Sequence, residues 1–317
     1  MRRILVPVAH LDSCRGAIAL GGELARHLDV ALTILHVSTE AGQSLLGGRL
    51  AAGKLAEWGI EPPSFQLLRD AEEILIDDGV LQTDEQGHPL EVHSLKLLAE
   101  GLYEVHRVSQ RGQNVRFRLR EGDPVRQVLR ELENPNYDLV ISGTREIGGF
   151  RRFWVGSIAQ SIAQYAPCSA LLAKNLRDDQ GILVGVSGRE TALEAVRQAA
   201  ELAHIRGVPL GLLAAPPTDD ERADAEAYLD QAEANVDPEI RRELDVERHV
   251  VVGDDPAEAL VATAGDDHII ALGKVKRSRV RELFLGDISL EILAKSSGPV
   301  LVASEPRSSE EDDEGAA

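Results

Sequence analysis

The sequence predicts an α/β protein with two repeated open parallel sheets, each covered by helices on both faces. Three observations carry this. Short apolar runs alternate with helical patterns along the chain, and buried strands alternating with helices imply a parallel sheet wrapped on both sides. The second half repeats the first in five ordered matches: RRILVPVAHLD near residue 2 with GILVGVSGRE near 181, ALTILHV from 31 with PLGLLAA from 209, RLREGDPVRQVLREL near 118 with VVVGDDPAEALVATA near 250, YDLVISGTRE with DHIIALGKVK, and GSIAQSIAQYAPCSALLA from 156 with GDISLEILAKSSGPVLVA from 286. Two loop glycines are also 13 residues apart in both halves, Gly143 to Gly156 and Gly273 to Gly286. Ordered matches sharing an internal spacing mark a duplication.

The elements follow in order. ILVPV is a buried strand that soon meets His10 and Asp12, so it is not a signal peptide. A helix follows with Ala17, Leu20, Leu24 and Ala25 on one face, and Ala192, Val196, Ala199 and Ala200 repeat that face in the second copy. ALTILHV is the second strand. Beyond it the copies part: Val6 to Asp123 spans 117 residues and Val184 to Asp255 spans 71, so the first copy carries an insertion of about 46 residues, assigned to about 40–92. Within it SLLGGRLAAGKLAEWG reads as a helix, and EILIDDGVLQ as a small hairpin around Asp77, Asp78 and Gly79. Leu95, Leu97, Leu98, Leu102 and Val105 then read as a helix leading back into the repeat. The insertion leaves from the end of the second strand and reads as a lid, a protein-docking surface or an idle loop. Asp123-Pro124 and Asp255-Pro256 start helices, with Asp as N-cap and Pro in the first turn. The domain organisation is a first copy over 1–174, a polar linker at 175–180, a second copy over 181–304 and a tail from 305 to 317.

Composition bounds the function. The chain has 317 residues, 43% hydrophobic and only 3% aromatic, so its cores are aliphatic. Two cysteines, Cys14 and Cys168, make no disulfide framework, which fits a cytoplasmic protein; both read as small buried apolar residues. The net charge is −19. The last thirteen residues carry six acids and one arginine and are expected to be disordered. The acidic remainder argues against general nucleic-acid binding, which needs a positive footprint. No run approaches the ~18 apolar residues of a membrane span.

In open parallel sheets, ligands bind outside the carboxyl ends of the strands. Three loops converge there in each copy: after the first strand, after the second, and Gly143–Ser157 or Gly273–Asp287. The stretch SGTREIGGFRRFWVGSIAQS from Ser142 combines a glycine-rich turn, bare amides and a helix start, the parts of a phosphate cradle. Glu146 lies within it, and a carboxylate a few ångströms from phosphate is repulsive by roughly a kcal/mol or several. Arg145, Arg151 and Arg152 could offset it. In the second copy GKVKRSRVRE holds Lys274, Lys276, Arg277, Arg279 and Arg281. Lys276 could contact phosphate in place of backbone amides; the other reading is a solvated basic face. Asp287 is a good N-cap but competes with an anion for the same amides. His10 and His36 lie at strand ends as bystanders. The nine histidines show no metal-ligand spacing with cysteines or carboxylates, and no nucleophile elbow or Walker-type lysine loop is found.

These residues resemble the universal stress protein family in its tandem-domain form. The resemblance rests on ILVPV, the LHV strand, the REGDP turn, the SGT…GGF…GS loop and the AP-C-S-ALLA final strand. It covers nearly the whole chain except the insertion and the tail. It implies five-stranded parallel sheets of the adenine-nucleotide-hydrolase-like type, paired through their final strands as an intramolecular pseudo-dimer, with Ala170–Ala173 beside Val300–Ala303. It also implies a nucleotide loop of glycine, two residues, glycine, nine residues, glycine, then Ser or Thr. In the first copy Gly143, Gly156 and Ser157 match; Glu146 replaces the second glycine, and Ala9 replaces the aspartate that reads adenine. In the second copy Gly273 and Gly286 match, while Lys276, Asp287 and Ser187 stand at the altered positions. The backbone of Val8 or Val186 could still meet the adenine edge.

The nucleotide site implied for the first copy is Pro7, Val8, Ala9, Val37, Gly122, Gly143, Arg145, Glu146, Gly156, Ser157 and Ile158. The nucleotide or anion site implied for the second is Gly185, Val186, Ser187, Ala215, Gly273, Lys276, Gly286, Asp287 and Ile288. The function implied is a cytoplasmic stress-response protein that binds ATP, ADP or AMP, with Mg, as a regulatory ligand and hydrolyses ATP slowly at most. The alternative is a scaffold of the same fold that binds protein partners and no nucleotide. Tandem chains could pair further as a homodimer.

Overall fold

The computed structural model describes residues 3–39, 63–99, 102–133, 137–144, 157–276, 283–284 and 286–305. The chain divides into two units, one running to Gly143 and the other spanning Thr144–Ser308.

The first unit contains β1 (Arg3–Val8), α1 (Leu11–His27), β2 (Ala31–Ser38), α2 (Gln66–Asp77), β3 (Glu91–Ala99), β4 (Leu102–Val108), β5 (Asn114–Glu121), α3 (Pro124–Leu132) and β6 (Leu139–Gly143). Its strand order is β6-β1-β2-β5-β4-β3. The first four are mutually parallel; β4 and β3 add antiparallel at the edge. Ile4, Leu5, Val6 and Val8 are all buried, as expected of a strand covered on both faces. α1 lays Ala17, Ile18, Leu20, Leu24 and Ala25 on the sheet. Asp123 caps α3 by accepting from the Arg126 amide at 2.8 Å.

The insertion differs from its sequence reading in two places. EILIDDGVLQ is not a hairpin: Glu73–Asp77 belong to α2, and the chain leaves it through Gly79 at φ +65. Val80 donates to the Leu75 carbonyl at 2.8 Å and Gly79 to that of Ile76 at 2.9 Å, the paired bonds of a Schellman helix end. The DDG signal was thus a helix stop. Leu95, Leu97, Leu98, Leu102 and Val105 are not on a helix either. They lie in β3 and β4, where Tyr103 and Val105 point inward. A five-residue apolar set fits both periods, and β-branched Val92, Val105 and Val108 fit the strand better. These two strands have no counterpart in the second repeat and extend past the 40–92 assignment. The expected helix at 44–59 lies outside the described residues.

Two buried ionic groups tie this unit together. Arg107 on β4 is 1% exposed; its Nε donates to Glu72 on α2 at 2.5 Å and its Nη2 pairs with Glu91 on β3 at 3.0 Å. Glu131 on α3, 2% exposed, accepts from Arg118, from Arg120 and from the Tyr137 hydroxyl at 2.8 Å. Burial pushes the Glu131 carboxyl up, but the two guanidiniums outweigh it and hold the group below its ordinary value.

The second unit contains α4 (Ser157–Tyr165), β7 (Ser169–Ala173), β8 (Gly181–Val186), α5 (Glu190–Arg206), β9 (Leu210–Ala214), α6 (Arg222–Ala234), α7 (Pro238–Glu243), β10 (Val246–Val250), α8 (Pro256–Ala264), β11 (His268–Gly273), β12 (Val275–Lys276), β13 (Leu283–Phe284), α9 (Asp287–Lys295) and β14 (Val300–Ala303). Its main sheet runs β10-β9-β8-β11-β14-β7. The first five strands are parallel, giving the five-stranded sheet the resemblance implied. β7 pairs antiparallel with β14, placing Leu172, Leu171 and Ala170 opposite Val300, Leu301 and Val302. The final strand of the first repeat therefore completes the sheet of the second, as expected. Each buried aliphatic side chain along this seam contributes about 1.5–3 kcal/mol. Asp255 caps α8, accepting from the Ala257 and Glu258 amides at 2.9 Å.

Candidate functional site

In the second repeat, β8, β9 and β11 end at a crevice of about 690 Å³ faced by the start of α9. Gly185, Val186, Ser187, Ala215, Gly273, Gly286, Asp287 and Ile288 all line it, so eight of the nine residues expected there come together. The ninth, Lys276, has its backbone in β12, opposite Leu283. Thr191, Ser289 and Gln164 add polar groups, and Leu213, Leu260 and Leu272 form apolar wall.

Each wall has a local cause. Gly273 ends β11 so close to the start of α5 that a Cβ there would sit 2.0 Å from the Thr191 carbonyl oxygen. Gly143 repeats this in the first unit: a Cβ would meet the Ser13 carbonyl at 2.2 Å. These two glycines answer to helix–strand packing, whatever occupies the crevice. Gly286, at φ −67 and ψ 163, is the N-cap of α9 and offers no side-chain cap. This corrects the expectation that Asp287 is the cap: it is the first residue of the helix itself, exposed and favourably placed on the helix dipole. Unclosed first-turn amides at a crevice form an anion-binding arrangement. Arg189 lines the same crevice and has no ion-pair partner among the described residues.

Lys274 leaves the basic run it belongs to in sequence. It is 2% exposed, and its Nζ donates to the Ala166 carbonyl at 2.6 Å. Burial pushes the ammonium down to about 8, against a smaller opposing effect of Cys168. It is thus an internal cation, not part of a solvated basic face. Arg277, Arg279 and Arg281 lie outside the described residues.

The first-repeat set is divided. Pro7, Val8, Ala9, Val37, Gly122 and Gly143 belong to the first unit, whereas Ser157 and Ile158 open α4 in the second. Arg145, Glu146 and Gly156 lie outside the described residues, as do Arg151 and Arg152. Gly122, at φ +130, donates to the Ser38 carbonyl at 3.0 Å, and Gly253 repeats the contact with Pro216 at the same distance. The carbonyl of Val8 accepts from His36 Nδ1 at 2.9 Å. A carbonyl only accepts, so Nδ1 carries the proton, and burial pushes the imidazolium of His36 down. His36 is therefore no bystander: it takes one lone pair of the Val8 carbonyl, one of the backbone groups considered for adenine. Val186 has Ala214 across the strand instead, and no side chain among the described residues donates to its carbonyl.

The sequence reading missed Arg189, Thr191 and Gln164. Arg189 and Thr191 lie within four residues of Ser187, so the loop after β8 offered a signal. Gln164 offered none, because it comes from a helix of the other repeat.

Alternating parallel strands and helices with a crevice at the strand ends define a doubly wound α/β fold. The chain matches the universal stress protein family over residues 1–174 and 180–304 and belongs to it. Universal stress protein Rv2005c of Mycobacterium tuberculosis is 28% identical over 241 residues, which cover 71% of this chain and 79% of that protein. The crystal structure of a universal stress protein from Archaeoglobus fulgidus DSM 4304 has the same fold, with a TM-score of 0.62 at 17% identity, covering 95% of this chain and 98% of that one. No helix among the described residues is long and apolar enough to cross a membrane.

Proposed function

We propose that this universal stress protein acts in the cytoplasm as a stress-response regulator that takes up an adenine nucleotide, or another phosphate-bearing small molecule, in the crevice of its second repeat. The observation that carries this is the crevice itself: about 690 Å³ at the strand ends, with an unclosed helix start and Arg189 facing it. That volume lies in the range of small-molecule sites. Val186, Leu213, Leu260 and Leu272 supply apolar surface for a base, and the α9 amides with Arg189 supply the phosphate end. Asp287 repels each added phosphate charge, so AMP binds ahead of ATP. The first-repeat set is the lesser candidate, because His36 holds the Val8 carbonyl.

Calorimetry with AMP, ADP and ATP tests this on the full chain, with mass spectrometry of acid-released small molecules alongside. Saturable heat is expected, weakened at least about tenfold by Arg189→Glu. Asp287→Asn should tighten ATP by about three- to tenfold, and thermal stabilisation should follow mass action. No released nucleotide and no heat at millimolar concentration would sink the proposal. The reading then left is a protein-binding scaffold of the same fold, which is favoured by Ile288 and Leu290, 48% and 40% exposed on the crevice wall.

A further inference from the structure

The edge hairpin of the first unit gathers a second set of polar groups. His93 on β3 lies directly across from His106 on β4. Glu104 is two residues before His106, so the two share one face of the strand. One ligand atom from each of His93, Glu104 and His106 lies within 4.8 Å of the other two. The two rings meet edge to face with centroids 5.1 Å apart, and His93 Nε2 is 3.5 Å from Glu104 Oε1.

The surroundings orient these groups as a metal's outer shell would. His106 Nε2 is 2.8 Å from the Asn114 amide oxygen. That oxygen only accepts, so Nε2 holds the proton and Nδ1 keeps its lone pair. Glu104 is 5% exposed, and its Oε2 takes Arg118 Nε at 2.7 Å, which leaves Oε1 on the histidine side. Arg118 is itself neutralised by Glu131. Arg116, 4.0 Å from Glu104 Oε2, is the nearby cation that would oppose a dication.

We propose that His93, Glu104 and His106 form a divalent transition-metal site on the β3–β4 hairpin, of the type that takes Zn²⁺. Two imidazoles and one carboxylate suit zinc and its neighbours rather than Mg²⁺ or Ca²⁺, which require oxygen ligands. Bond lengths of ~2.0–2.2 Å set tetrahedral ligand atoms roughly 3.3–3.5 Å apart. The ligand atoms, within 4.8 Å of one another, have about an ångström to close on binding. Three protein ligands leave a coordination position for water or a small ligand. The cluster departs from the reading that the histidines show no metal-ligand spacing: Glu-Val-His recurs at 91–93 and 104–106, and only the pairing of β3 with β4 brings the two copies together.

The test titrates Zn²⁺ into chelator-treated full-length protein by calorimetry and follows Co²⁺ by visible absorption. One equivalent per chain is expected at micromolar affinity or tighter, with the visible bands of a low-coordinate nitrogen–oxygen site. His93→Gln and His106→Gln, checked by circular dichroism and melting, should each weaken binding by about 100-fold, and Asn114→Leu by about tenfold. Arg116→Gln leaves all three ligands in place and should tighten binding several-fold. Failure to bind at millimolar ion would overturn the site, and so would unchanged uptake in the double histidine variant, which means adventitious surface binding. If the histidine variants do not fold, the Arg116→Gln affinity and the cobalt spectrum decide: looser binding or octahedral bands reject the site.

Discussion

Lys274 shows how one residue departs from its sequence neighbours. It stands beside Lys276 and three arginines, yet its ammonium is buried against the Ala166 carbonyl. Its folded value is about 8, against 10.5 ordinarily. Between those values the unfolded chain holds a proton that the folded chain has released. Raising the pH across that window therefore stabilises the fold, by about 3 kcal/mol at most. Below pH 8 both states are protonated and the slope vanishes. Urea midpoints of the native chain and Lys274→Met should diverge from pH 8 to 10.5, with only the native chain gaining. Parallel curves would show that the ammonium is solvated. The positive run suggested exposure because charge patterning reports composition, whereas Lys274 stays packed beside the end of β14, its amide donating to the Ala303 carbonyl at 2.8 Å.

At the scale of the element, the β3–β4 hairpin is what the sequence reading placed least well. A helix period and a strand alternation were both available in its leucines, and the partner strand β5 decided between them. Arg107 then anchors the hairpin to α2 through Glu72. Removing one member of a buried ion pair strands the other, which costs about 3–5 kcal/mol. Arg107→Ala should lose that much stability by urea unfolding, and amide exchange should rise first along β3 and β4. A loss within experimental error, with β3 still protected, would assign the anchoring to the apolar contacts of Tyr103 and Val105. The helix starts at Asp123-Pro124 and Asp255-Pro256 were legible because a cap is a local device: the residues that make the bonds are adjacent in sequence.

At the scale of the molecule, the duplication is cut differently in space than in sequence. β7 ends the first repeat but is the sixth strand of the second unit's sheet, antiparallel to β14. A chain starting at Gln180 would leave β14 as an open edge of Val300, Leu301 and Val302. Such an edge recruits another strand. That fragment should self-associate in sedimentation experiments, and Leu301→Lys should reduce the association. A well-folded monomer at high concentration would show that β7 is dispensable. The same arrangement brings Gln164 of the first repeat to the crevice of the second, a contact no reading of one repeat alone could supply.

Read alone, the sequence carried the tandem α/β architecture and the Asp123 and Asp255 caps; the pairing of the last strands and eight crevice residues came with the family resemblance, and the antiparallel sense of that pairing came from the structure. The architecture and the caps follow from local chemistry or from one repeat read against the other, whereas the pairing and the crevice residues follow from motifs shared with the family. Packing across the fold set the inward turn of Lys274, the contact of His36 with the Val8 carbonyl, and the meeting of His93, Glu104 and His106. Each depends on which strands become neighbours and in what register, and register is set by the packing of the whole sheet rather than by any short stretch within it.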